Sequence, residues 1–85
     1  MITIKAVNKA IASRDIKAEL VRGDGYFYFV GPDVEYAATT SVMVPRLNDL
    51  TLAQWIEEAV ITAAESKERL EAIKAVAADS IIIRG

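Results

Sequence analysis

The sequence predicts an α+β fold, a two-layer sandwich in the order α-β-β-β-α. Its antiparallel sheet holds three or four strands, and its C-terminal helix is long. Three observations carry this reading. Apolar residues at helical spacing open the chain. Segments of period two, punctuated by glycine and proline, fill its middle. A long stretch without either breaker follows, its apolar residues again three and four apart. Two helices flanking a run of short strands pack most simply on one face of the sheet.

The first helix is expected over residues 4–12. Ile4, Val7 and Ile11 recur at steps of three and four, while Lys5, Asn8 and Lys9 fall elsewhere on the wheel. Thr3 stands before them as N-cap, where its hydroxyl accepts an amide that has no helical partner. Ser13, Arg14 and Asp15 read as the exit. In residues 16–21, Ile16, Ala18 and Leu20 alternate with Lys17 and Glu19, the period of a half-buried strand. Gly23-Asp24-Gly25 then supplies the conformational freedom of a tight hairpin turn. Residues 26–30 form an aromatic and β-branched strand, with Phe27 and Phe29 facing the core and Tyr26 and Tyr28 facing out. Gly31-Pro32-Asp33 ends it. A third strand is expected over residues 38–44, with Thr40, Val42 and Val44 on one face and Pro45 as its stop.

The second helix has the clearest start. Thr51 and Gln54 form a capping box, and Leu50 and Trp55 occupy the positions of a hydrophobic staple. From Leu52 to about Ala78 the stripe Leu52, Ile56, Ala59, Ala63, Leu70, Ile73, Ala77 follows alternating steps of four and three, with Ser66 in the one missing place. A helix of that length spans about 40 Å at 1.5 Å per residue, more than a small sheet covers. Either it breaks near Ser66, or its second half packs on something else, a second copy being one candidate. The expected compact core is residues 3–65, with an extension over residues 66–85, all in a single domain. Ile81, Ile82 and Ile83 read as an edge strand or an ordered tail.

Composition narrows the function. The chain has 85 residues, a hydrophobic fraction of 53% and a net charge of −2. That hydrophobic content argues against disorder, and the acidic balance disfavours a general polyanion binder. There is no cysteine and no histidine, which removes thiolate chemistry, Cys/His zinc sites and the commonest general base. Residues 1–12 place lysines among apolar residues, unlike the continuous apolar core of a secretion signal. No segment approaches the roughly 18 apolar residues of a membrane span. The expectation is a cytoplasmic protein without a membrane anchor.

The α-β-β-β-α order resembles the double-stranded-RNA-binding-domain fold, which also carries the HicA-type toxin RNases. Residues 4–12, the strand over 16–22, the turn at Gly23–Gly25, the aromatic strand over 26–30, the valine strand ending at Pro45 and the helix from Leu52 match that pattern over residues 3–65. The toxins carry a histidine just after the glycine turn; here Tyr26 and Tyr28 stand in its place, so the resemblance does not extend to the RNase activity. RNA-binding members use lysines at the start of their second helix. This chain has Thr51, Leu52, Ala53 and Gln54 there, followed by Glu57 and Glu58, the wrong sign for a phosphate backbone. The stretches LVRGDGYFYFVG and VPRLNDLTLAQWIEEA also resemble small accessory proteins of phages and prophages.

Other motifs yield less. Arg22-Gly23-Asp24 matches the integrin tripeptide, but its glycine belongs to the turn. The same region echoes the RNP1 signature two residues out of register, in a chain that begins with a helix rather than a strand. Asp24, Asp33, Glu35 and Asp49 lie in or near turns, at spacings that match no metal motif. The expected function is therefore that of a non-enzymatic protein-binding or accessory protein without cofactor, catalytic residue or metal ligand. Its interaction surface is Tyr26, Tyr28 and Tyr36, and its dimer seam is Leu70, Ile73 and Val76. The alternatives are nucleic-acid binding by the tyrosine face and a divalent-metal nuclease.

Overall fold

The structure, a computed structural model, describes the backbone of residues 1–84 and the side chains of residues 1–77. Helix α1 (Ile4–Ser13) leads into a three-stranded antiparallel sheet of β1 (Glu19–Arg22), β2 (Phe27–Val30) and β3 (Ser41–Val42), in that spatial order. Short 3₁₀ turns occupy Pro32–Val34 and Leu47–Asp49, and helix α2 (Leu52–Arg84) completes the chain. The predicted α+β class and element order hold.

α1 starts where expected: the Ala6 amide donates to Thr3 Oγ1 at 3.1 Å. Its Val7 and Ile11 are fully buried. Asn8 binds the helix to the sheet. Its Nδ2 donates to the Leu20 carbonyl at 3.3 Å, and the Leu20 amide donates to Asn8 Oδ1 at 2.6 Å. β1 is an edge strand, so these backbone groups would otherwise be open to another chain. One asparagine closes both.

In the hairpin, Leu20 pairs with Phe29 and Arg22 with Phe27. The Gly23 amide donates to the Tyr26 carbonyl at 2.8 Å. The two turn glycines do different work. Gly25 has φ +81°, which needs glycine. Gly23 makes room instead: a Cβ there would lie 2.6 Å from the Tyr26 ring. The Arg22 guanidinium lies 4.9 Å from the Phe27 ring centroid, a cation–π contact. The tripeptide is thus part of the hairpin's own packing.

Both flanking strands are shorter than the sequence predicts. At the first, the Lys17 amide donates to Asp33 Oδ2 at 2.7 Å and the Asp33 amide to the Lys17 carbonyl at 3.2 Å, so the chain meets a turn before it meets β2. At the third, only Ser41–Val42 is strand. Ala38 is held instead by α2, its amide donating to Glu65 Oε1 at 3.0 Å. The Val44 amide turns back to the Val42 carbonyl at 3.0 Å before Pro45.

α2 opens with the capping box. The Thr51 amide donates to Gln54 Oε1 at 2.8 Å, and the Gln54 amide to Thr51 Oγ1 at 3.1 Å. Trp55 goes beyond a staple. It is fully buried, meets Phe27 edge-on with centroids 5.3 Å apart, and donates its indole N–H to the Leu47 carbonyl at 2.8 Å. The centre line of the buried face is therefore Trp55, Ala59, Thr62 and Ser66, with Leu52, Ile56 and Ala63 half-buried beside it. This corrects the stripe read from the sequence by part of a turn. With Val7, Ile11, Leu20, Phe27, Phe29, Val34 and Leu47 it closes one core.

The break near Ser66 does not occur; α2 is one helix of 33 residues. Ser66 is buried because its Oγ accepts the Tyr36 amide at 2.9 Å. The same range takes residues 81–83 into the helix backbone rather than a fourth strand; their side chains lie outside the described residues. At 1.5 Å per residue α2 is about 50 Å long, and it sets the long axis of a molecule measuring 58 × 26 × 15 Å.

Candidate interaction surfaces

Two surfaces are left once the core is accounted for. The first is the outer face of the sheet. Strand alternation sends Phe27 and Phe29 inward and leaves Tyr26 and Tyr28 half-buried on the other side. Their rings lie side by side, tilted by 36° with centroids 5.8 Å apart. Val21 and Ser41, paired with Tyr28 in the two neighbouring strands, share this face. Exposed Val30 and its partner Glu19 border it. The Tyr26 ring occupies the space that the missing side chain of Gly23 leaves.

Tyr36 belongs elsewhere. Its amide is bound to Ser66 of α2, and it lines a shallow groove with Pro32, Ala63, Lys67 and Leu70. The three tyrosines of the expected surface are therefore divided: two on the sheet, one at the root of the projecting helix. The sequence carried one sign of this, a serine in the middle of an apolar stripe.

The second surface is α2 past that root. On a wheel of 3.6 residues per turn, Arg69, Ile73 and Val76 continue the line of Thr62 and Ser66, with Leu70 and Ala77 beside them. Leu70 is half-buried, whereas Ile73 is 52% and Val76 65% exposed. The docked stripe runs on where there is no sheet to receive it. Half-buried Leu70 and exposed Ile73 and Val76 thus lie on one side of the helix, with Arg69 among them.

The carboxylates do local work. Asp33 accepts the Lys17 amide, Asp49 Oδ2 accepts the Arg46 amide at 3.2 Å, and Glu65 accepts the Ala38 amide. Among the described residues no three acidic side chains gather as a metal site, and no buried polar side-chain atom lacks a partner. No helix among the described residues is long and apolar enough to cross a membrane. No protein-family model matches the chain, and no curated protein or solved structure matches it either.

Proposed function

We propose that this protein is a small non-enzymatic binding module that acts through protein–protein contact, with the projecting half of α2 as its main adhesive element. One observation carries the reading: the stripe that docks Trp55, Ala59 and Ser66 on the sheet continues through Leu70, Ile73 and Val76 into solvent. Exposed contiguous apolar surface on a helix is the usual mark of a contact site. The test is affinity capture from the cells that naturally produce the protein, with the full chain and Ile73→Asp as parallel baits. Proteins retained by the first and lost by the second are expected. Identical retention by both baits sinks the reading.

A second reading rests on the sheet. Tyr26 and Tyr28 lie side by side on an uncovered face, an arrangement on which nucleobases stack. Glu19 and Asp24 beside them weaken the case for a polyanion. Titration with single-stranded oligonucleotides at low salt decides it, since stacking requires a tyrosine fluorescence response that Tyr28→Ala abolishes.

A further inference from the structure

We infer that residues 35–46 form a strap that opens as one unit while the rest of the protein stays folded, and that Glu65 and Ser66 of α2 hold it shut. Opening frees one edge of the central strand β2. The inference stands apart from the binding reading above, since it concerns the monomer alone.

The observation is how little holds the strap. Buried Val34 and Leu47 anchor its two ends in the core. Between them no side chain is buried. Val42 and Val44 touch the core but are only half-buried, and Met43 between them is 75% exposed. Apolar burial, the main term that keeps a segment in place, is therefore small here. Hydrogen bonds to the body of the protein must do the holding. β3 pairs with β2 over Ser41 and Val42, and the Phe29 amide donates to the Thr40 carbonyl at 3.0 Å. On the other side, the Tyr36 amide donates to Ser66 Oγ at 2.9 Å and the Ala38 amide to Glu65 Oε1 at 3.0 Å. Other bonds are local and need not break on opening. The Ala37 amide donates to the Val34 carbonyl, the Ser41 amide to Thr39 Oγ1 and the Val44 amide to the Val42 carbonyl.

What the strap covers is firmly built. β2 carries Phe27 and Phe29, both buried. Antiparallel pairs alternate between bonded and unbonded. On the β1 side the Gly23 amide donates to the Tyr26 carbonyl, so the next bonded pair is Val21 with Tyr28. On the β3 side Phe29 is bonded to Thr40. Neighbouring amides of one strand thus report on opposite edges, Tyr28 on the hairpin and Phe29 on the strap. With the strap lifted, the backbone groups of β2 at Phe27 and Phe29 are free to pair with another strand.

Native-state hydrogen exchange of the full-length protein, followed by NMR in rising urea, separates the two edges. The Phe29 and Tyr36 amides are expected to share one opening. They should exchange at least about tenfold faster than Tyr28, with a weaker urea dependence because less surface is exposed. Ser66→Ala and Glu65→Ala are each expected to raise the Phe29 rate about two- to fivefold. Neither residue is bonded to Phe29, so the effect arises only if the strap moves as a unit. Ile11→Val alters α1, which packs on β1 and α2. It is expected to raise the Tyr28 rate about fivefold and to leave Phe29 unchanged. Equal rates and urea slopes at Phe29 and Tyr28 overturn the inference, since β3 then opens only with the whole molecule. Unchanged Phe29 exchange in both α2 variants also overturns it, because β3 then frays without the bonds to α2. So does Ile11→Val if it accelerates both amides alike.

Discussion

At the scale of single residues, the hairpin and its exit show how differently glycines act. Gly25 and Gly31 both have positive φ, +81° and +136°. Around Gly25 there is open space, so a methyl group there meets only the backbone penalty, about 1–2 kcal/mol. At Gly31 a Cβ would lie 2.5 Å from the Lys17 carbonyl oxygen and 2.9 Å from the Ala18 Cα. These are backbone atoms, and the Lys17–Asp33 hydrogen bonds hold them in place. Gly31→Ala is therefore expected to cost clearly more than Gly25→Ala, about 3 kcal/mol or above. Urea denaturation of the two variants measures it, and equal midpoints would refute the close approach. Of this only the turn is legible in the sequence. Gly23-Asp24-Gly25 announces itself through nearest neighbours. The need for glycine at 31 comes from a backbone fourteen residues away, which no local pattern encodes. The same holds for Asn8, which reads as a polar position on a helix wheel and turns out to seal the edge of β1.

At the scale of elements, α2 is two structures in one. Its first four turns are held by the core through Trp55, Ala59, Thr62 and Ser66 and tied to the 36–38 loop by Ser66 and Glu65. Past Leu70 it has intrahelical bonds and little else. An isolated helix of fewer than about 12–15 residues is marginal in water, so local stability should fall along a helix that is geometrically continuous. Hydrogen exchange is expected to show amides of residues 56–66 protected to near the global unfolding limit. Those of residues 71–77 should exchange at least about a hundredfold faster. Uniform protection along α2 would mean that something already covers its second half. The capping box and the absence of breakers made the helix legible from its first residue. Its angular placement was not legible, because alanine-rich turns offer several stripes of similar quality. Trp55 decides among them through Phe27 and the Leu47 carbonyl, and those partners are chosen by the tertiary fold.

At the scale of the whole molecule, the question is where the folding unit ends. A chain of this size has little core to spare. Among the described residues, the last buried side chain is Ser66. Everything that closes the core, from Val7 to Ala59, precedes it. Removing residues 71–85 should therefore leave cooperative unfolding intact, with stability changed by no more than about 1 kcal/mol, the size of a surface effect. Trp55→Ala, on the same face of the same helix, is expected to cost about 3–5 kcal/mol. The two measurements together separate a scaffold from an arm. If the truncated protein loses its cooperative transition, the second half of α2 belongs to the core and its apolar face is explained by folding. If it keeps that transition, Ile73 and Val76 contribute nothing to the fold that Leu52, Trp55 and Ala59 do not already supply. Their exposure then needs a reason outside the monomer. Differential scanning calorimetry of the truncated and full-length proteins, run side by side, gives the answer before any partner is known.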